Sequence, residues 1–483
     1  MSSRLGLSIL LIIVTASICK SQVLDWSNTQ KLRGNSIFTT VIGEDESGIY
    51  VFRHRNKLLS KFVVMERYRH NLGLENSKSY LLKNARILYA DINSIGLLII
   101  KQVYDKKTNS FNIVASYMNN SFEPITEEIL VMQLKASDWG SNPSVIIKPS
   151  PDHSKYIIFC YEISTPKNSY YKYSEINLKL NVFKNDDVRI PIEFGIDNIK
   201  ELVVDDELNY TFLATLRKTK KGVTSMALFE QVGDTNCIKI ISDSNYTLQS
   251  PVLFYNSFKH TKGISGFYTS SVESGIEGAF SFTWKNLKSD TLTFKQQSFS
   301  SSIIRELEGE ASVSEGFLPI TYIPLKVICR TDGGFIVVSE NSFIQKDQDI
   351  MVVNGVPSSQ GKSIYNYENI LIQNFDSAGA LSWENWVTKN QTTVNDGGML
   401  GSIFVSTTEN AIHIIYNDPI ASGGDIVEAI VKTTGEREIK VAAKGDEMNA
   451  FIIPTEGRQI SKDKIIVPVL KDRKFALLKI TFK

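Results

Sequence analysis

The chain has 483 residues, 42% of them hydrophobic and 10% aromatic, with 53 Lys and Arg against 52 Asp and Glu. Near-neutral charge without basic blocks excludes the electrostatic footprint of a nucleic-acid or anionic-membrane binder. The length exceeds the usual ~100–200-residue domain, but closed β architectures run larger as single units, and there is ample apolar material for a core.

Residues 1–21 read as an export signal, with Arg4 before an apolar stretch that begins at Leu5. The stretch is too short to span a bilayer and no stop-transfer segment follows it. Cys19 and Ser21 are the small residues of a cleavage site that would leave Gln22 first; lipidation of Cys19 would need a small residue where Ile18 stands. The expected organisation is a signal peptide over 1–21 and one domain over 22–483. No other segment approaches the ~20 apolar residues of a membrane span. Removing Arg4 and Lys20 leaves 51 basic against 52 acidic residues.

From there the chain reads as short strands grouped into units. The first holds strands near 36–41, 48–52 and 58–65, the second 86–90, 95–103, 111–117 and 128–134, and the third 144–147, 156–162 and 176–183. Units four and five cover 199–242 and 249–297. After a polar stretch over 298–316 the pattern resumes at 324–339 and 366–386, then 399–440, and ends with a short unit over 450–483. A turn signal introduces an apolar strand repeatedly: Ser150-Pro151-Asp152-His153 before Tyr156–Tyr161, Asp205-Asp206-Glu207 before Tyr210, Asp332-Gly333-Gly334 before Phe335, and Thr408-Glu409-Asn410 before Ala411. Three or four strands per unit in sequence order make a meander, and units of roughly 50 residues make a radial sheet architecture.

The sequence therefore predicts an all-β, seven- or eight-bladed β-propeller, eight being favoured. The last unit is one strand short, and residues 23–33 are available to complete it, since a ring leaves no edge open. A pair of stacked sheets is the structural alternative. Helix periodicity is confined to 302–310, with Ile303, Ile304 and Leu307 on one face and Gly309 as the stop. Strands alternating with longer helices, as an α/β enzyme requires, are absent.

No constellation of catalytic or metal-ligating residues stands out, so no catalytic, cofactor-binding or metal site is assigned, no cofactor is expected and the ligand-binding residues are left open. Asp347-Gln348-Asp349 lacks the third acid and the glycine of a calcium loop. His54, His70, His153, His260 and His413 are scattered; His413 alternates into a strand and reads as a satisfied sheet residue. No Gly-x-Ser-x-Gly elbow or phosphate loop occurs. Glu127-Glu128 and Glu306, Glu308 and Glu310 read as solvated faces, though two carboxylates brought together from distant blades could hydrolyse a glycoside. Tyr170, Tyr171, Tyr173, Tyr365 and Tyr367 could stack on sugars or pack between blades. Cys160, Cys237 and Cys329 sit among strand formers as small buried side chains, with a single disulfide as the alternative. Sequons begin at Asn119, Asn209, Asn245 and Asn390.

Asp376-Ser377-Ala378-Gly379 followed by Trp383 resembles the turn-plus-tryptophan of quinoprotein-like blades, in which the indole docks one blade on the next. It fails the aspartate box of sialidases at Asn374 and Ala378. Kelch glycine pairs follow an apolar strand, whereas Gly333-Gly334 precedes one, and the Gly-His and Trp-Asp pairs of WD repeats are missing. The succession Ser150-Pro151-Asp152, Val203 to Asp206, Arg330 to Gly334, Tyr416-Asn417-Asp418 and the closing run from Lys464 to Phe482 resembles uncharacterised exported proteins of Bacteroidetes-type bacteria. That resemblance implies an exported propeller and carries no activity. The expectation is a non-enzymatic binding or scaffold module of the cell envelope, in the periplasm, at the outer membrane or outside the cell. It would meet a protein or envelope component through a loop-lined rim; a glycan-binding or glycan-hydrolysing propeller is the alternative.

Overall fold

A computed structural model describes residues 22–31, 38–54, 62–136, 143–163, 169–189, 196–216, 226–241, 245–270, 275–290, 292, 294–353, 356–420, 424–445, 449–472 and 474–482. The proposed signal segment lies outside them. Eight separate antiparallel sheets form an eight-bladed β-propeller, which decides between seven and eight blades and against stacked sheets. Blade 1 is Phe38–Asp45, Gly48–His54, Phe62–Tyr68 and Leu74–Leu81; blade 2 is Ala85–Asn93, Gly96–Asp105, Ser110–Met118 and Ile129–Lys135. Blade 3 is Ser144–Pro149, Lys155–Ile163, Ser169–Asn177 and Val182–Arg189, and blade 4 is Ile196–Val204, Tyr210–Leu216, Met226–Val232 and Thr235–Ile241. Blade 5 is Thr247–Asn256, Thr261–Thr269, Gly278–Trp284 and Lys295–Ser298. Blade 6 is Tyr322–Cys329, Phe335–Val353, Val356–Phe375 and Leu381–Val387, with Gln391–Val394 added; blade 7 is Phe404–Thr407, Ala411–Asp418, Asp425–Lys432 and Arg437–Ala443.

The recurring turn-and-strand unit is the connection from the first to the second strand of a blade. In blades 1 to 6 an Asp or Asn at that turn accepts backbone N–H groups two to four residues on. Asp45 Oδ1 takes Ser47 and Gly48, Asn93 Oδ1 takes Ile95, and Asp152 Oδ1 takes Ser154. Asp205 Oδ1 takes Glu207 and Asn209, Asn256 Oδ1 takes Phe258, and Asp332 Oδ1 takes Gly334. Such Asx turns replace backbone pairing where the chain reverses. The second strand that follows is the most deeply buried of its blade, as Tyr156 to Cys160 and Phe335 to Val338 show. It is apolar on both faces because a neighbouring blade covers each.

The core is accordingly a ring of interblade layers. Tyr50, Phe52 and Met65 of blade 1 meet Leu97, Ile99 and Phe122 of blade 2, and Phe159, Tyr171 and Tyr173 of blade 3 meet Tyr210, Phe212 and Phe229 of blade 4. Val338 and Ile372 of blade 6 meet Ile414 and Tyr416 of blade 7. The last blade consists of Ala450–Ile452, Arg458–Gln459, Lys464–Lys471 and Lys474–Phe482, and its outermost strand is Gln22–Trp26, running antiparallel from Gln22 opposite Phe482 to Trp26 opposite Leu478. Leu24 and Trp26 cover the layer between blades 7 and 8, so the N-terminal segment closes the ring as its spacing predicts. Helix α1, Ser301–Glu308, is capped by Ser300 Oγ and stopped by Gly309, and places Ile303, Ile304 and Leu307 against Phe267, Leu318 and Tyr322. The Asp376 turn behaves as expected: Asp376 Oδ1 accepts Ala378 and Ala380, Gly379 takes a φ of 81°, and Trp383 packs on blade 7 with Gly435 directly beneath its ring.

Three features depart from the sequence reading. The strand expected over 176–183 is the turn between Ser169–Asn177 and Val182–Arg189, with Leu180 at a φ of 60°. Blade 1 has a fourth strand, Leu74–Leu81, whose polar residues gave no apolar run. In blade 6 the second and third strands continue far past the sheet as a two-stranded ribbon, paired from Ser342 opposite Tyr367 to Val353 opposite Val356.

Candidate functional site

The first strands of the blades surround the axis, and five of them carry a register shift that leaves extra residues unpaired: at Ile42, Leu88, Lys200, Ser250-Pro251 and Leu325. A bulge re-aims side chains and recurs beside ligand sites. Between blades 1 and 2 the bulged Ile42 and Leu88 help line a cavity of about 360 Å³, with Phe52, Val63, Leu82, Ile87 and Ala90 as further apolar wall and Thr40, His54, Arg86, Tyr89 and Arg458 as its polar groups. Phe52 and His54 end a second strand, Val63 begins a third and Arg86 begins a first. The cavity therefore lies toward the rim formed by the second-to-third connections, the rim from which the blade-6 ribbon projects.

Arg458 links this cavity to a buried network. Its Nη2 lies 3.2 Å from Asp91 Oδ1, and Asp91 Oδ2 is 2.7 Å from His153 Nδ1, 3.3 Å from Tyr156 Oη and 3.4 Å from Tyr89 Oη. Burial alone would raise the Asp91 carboxyl; His153 and then Arg458 overcome it and hold the pKa below its ordinary value. Donating a hydrogen bond to the Asp91 carboxylate raises the pKa of His153. Burial, followed by the charge of Asp91, raises the Tyr89 phenol. Arg86 differs. Its Nε donates to Gln102 Oε1 at 2.5 Å and its Nη2 to the Pro143 carbonyl at 3.2 Å, and among the described residues no carboxylate pairs with it. Burial lowers its pKa.

Other buried charges are paired within one blade or across two, although Arg53 Nη1 has no hydrogen-bond partner among the described residues. Arg53 and Glu66 form a bidentate pair under the Phe475 ring, with Tyr68 Oη donating to Glu66 at 2.8 Å. Glu230 of blade 4 receives Lys262 Nζ at 3.1 Å, Trp284 Nε1 at 3.2 Å and Leu287 N at 2.6 Å, all from blade 5. Lys389 and Glu340 lie 2.8 Å apart, with Ser402 Oγ donating to Glu340 at 2.6 Å. His413 is a satisfied sheet residue, as its alternation predicts: Nδ1 is 2.7 Å from Glu428, Nε2 is 3.0 Å from Thr408 Oγ1, and Phe482 stacks on the ring. These groups hold blades together.

The remaining sequence candidates are dispersed. Tyr171 and Tyr173 are buried between blades 3 and 4 and offer no sugar platform. Tyr367 is held against Gly398 and Gly401, and Trp386 is covered by Arg437, its ring 4.6 Å from the guanidinium carbon. Asp347 lies on the ribbon. Cys160, Cys237 and Cys329 are free thiols, Cys160 wholly buried. Among the described residues no three His, Cys, Asp or Glu side chains gather as a metal site, and no helix is long and apolar enough to cross a membrane. The Asp91, His153 and Arg458 cluster escaped the sequence reading because its members come from three blades and from opposite ends of the chain.

No family model and no curated protein matches the sequence. Among solved structures, polysaccharide lyase Uly1 aligns over 97% of this chain and 94% of its own at 10% identity and a TM-score of 0.43. A protein of unknown function from Dyadobacter fermentans aligns over 93% and 99% at 8% identity and a TM-score of 0.35. A DUF4221-family member from Bacteroides vulgatus aligns over 96% and 100% at 10% identity and a TM-score of 0.30. The structure neighbours include uncharacterised Bacteroidetes proteins, and no family or sequence match supports the resemblance. At such TM-scores no activity passes to this chain.

Proposed function

We propose that this chain is an exported, non-enzymatic binding module that presents the rim bearing the blade-6 ribbon to a protein of the cell envelope. The ribbon carries the proposal. Beyond Asn341 the strand Phe335–Val353 is paired only with Val356–Phe375, because Tyr322–Cys329 ends its pairing there. On the other edge, Gln391–Val394 pairs with Ile364 to Tyr367, and Asn395 exchanges two further hydrogen bonds with Ser363. Among the described residues no further strand pairs with either edge of the outer ribbon, which leaves a template for an added strand, and Ile344 and Val394 stand exposed at its base. A two-stranded ribbon is marginal by itself, so an extended segment of a partner that adds a third strand would stabilise it. Among the described residues, none from Ser342 to Tyr367 belongs to the interblade layers of blade 6.

The test compares the protein with a variant in which residues 345–364 are replaced by Asn-Gly, joining the cross-strand pair Ile344 and Tyr365. Both are used to capture proteins from the native cell envelope, and both are applied to a glycan array. Loss of a defined partner by the shortened chain, at unchanged melting temperature, is the expected result. Capture of the same partners without the ribbon, or specific sugar binding by both chains, would sink the reading in favour of a glycan-directed propeller.

A further inference from the structure

We infer that the cavity between blades 1 and 2 binds a small, neutral, largely apolar molecule, seated against Ile42, Phe52, Val63, Leu82, Leu88 and Ala90. This inference goes beyond the ribbon and does not rest on it. A volume of about 360 Å³ falls within the range of small-molecule sites. At ~30 Å³ per water it holds about a dozen non-hydrogen atoms. Among the described residues that line it, seven of twelve are aliphatic or phenylalanine. Five of those, Ile42, Phe52, Val63, Ile87 and Ala90, belong to the apolar layer in which blades 1 and 2 meet. The space is thus a gap in an interblade layer, and an apolar occupant removes its walls from water.

The polar groups around the cavity set the ligand's charge at zero, because each is already committed within the protein. Thr40 Oγ1 donates to Glu456 Oε2 at 3.0 Å. Arg458 Nη2 lies 3.2 Å from Asp91 Oδ1, and Tyr89 Oη lies 3.4 Å from Asp91 Oδ2. His54 is engaged as well. Arg86 touches the cavity, but its guanidinium is held by Gln102 and the Pro143 carbonyl beside the buried Cys160, on the face of blade 2 that meets blade 3. The described residues therefore present no unmatched charge to the space. An ion entering it would exchange water for apolar walls with no counterion to receive it, a cost that a neutral molecule of the same size escapes. The bulges at Ile42 and Leu88, on the facing first strands of two adjacent blades, break the side-chain alternation at the wall of this space.

The probes are methyl 3-phenylpropanoate and 1-octanol, each beside the carboxylate and the ammonium ion built on the same body, titrated into the protein by calorimetry and ligand-observed NMR. Saturable binding of at least one neutral probe is expected, with both of its ions weaker by about tenfold or more. Leu88→Trp and Ala90→Phe, which fill the cavity without altering its charge, should each abolish that binding. In the unsubstituted protein with labelled methyl groups, the signals of Val63, Leu82 and Leu88 should shift as the neutral probe is added, a readout that needs no variant to fold. An ion that binds as tightly as its neutral counterpart, binding that survives either filled variant, methyl signals that stay in place at saturation, or no saturable binding by either neutral probe would each overturn the inference.

Discussion

Glu230 is the sharpest test of the claim that buried charges fasten one blade to the next. It stands on the third strand of blade 4, and three of its partners, Lys262 Nζ, Trp284 Nε1 and the Leu287 amide, belong to blade 5. Glu230→Ala removes all three acceptor contacts and leaves Lys262, with a side chain only 4% exposed, facing Asp205 alone at 3.3 Å. Removing one member of a buried pair costs about 3–5 kcal/mol; the surviving Asp205 contact sets the expectation near the lower figure, ~3 kcal/mol. Lys262→Met in the same chain removes the orphaned cation. The double variant should then be more stable than the sum of the single losses by at least ~1 kcal/mol. The assay is urea denaturation followed by tryptophan fluorescence, with Trp284 inside the perturbed interface. Additive losses, or a loss below ~1 kcal/mol for Glu230→Ala, would refute the fastening role.

The remaining predictions concern pH and thiol chemistry. His153 has a raised pKa and Asp91 a depressed one. The histidine contributes stability that is full below its unfolded value of about 6.5 and fades as pH rises through the folded value; the aspartate contributes stability that is full above its unfolded value near 4 and fades on acidification. The melting-temperature gap between the protein and His153→Gln should therefore be widest near pH 5–6 and narrow above neutrality; a gap that widens with pH would contradict the assignment. Arg458 and Asp152 also face His153, with opposite effects on it, the first lowering and the second raising its pKa. Burial raises the thiol of Cys160 and pushes Cys329 up to about 11. At pH 8 the native protein should alkylate Cys329 far more slowly than free cysteine and leave Cys160 untouched until unfolding, as read by mass spectrometry; rapid labelling of Cys160 would mean that blades 2 and 3 separate.

Sequence made the blades legible because each one announces itself locally: an Asx turn needs Asp or Asn at one position, and the strand after it must be apolar on both faces. The same bookkeeping exposed the missing strand of the last blade. What could not be read was non-local or unburied. Residues 345–349 and 357–363 carry no aliphatic or aromatic side chain apart from Pro357, since a ribbon outside the interblade layers has no core to pattern it, so the segment resembles a loop until its pairing is seen. Leu74–Leu81 was hidden for a related reason: an outermost strand, half-exposed, has no need of hydrophobic residues. Arg86 and Arg458 line one cavity only because the ring brings blade 8 beside blades 1 and 2, and no spacing in the chain encodes that.

The antiparallel seam of the last blade has a mechanical consequence. Gln22 lies opposite Phe482, so both ends of the closing pair emerge at the same edge, and tension applied between them acts across the strands. Hydrogen bonds loaded that way break in succession, as in a zipper, whereas bonds loaded in shear must fail together. The ring is thus clasped by its weakest geometry under axial pull on its termini, and a force-spectroscopy trace taken from residues 22 and 482 should open with a low-force event that releases Gln22–Trp26 before any interblade layer yields.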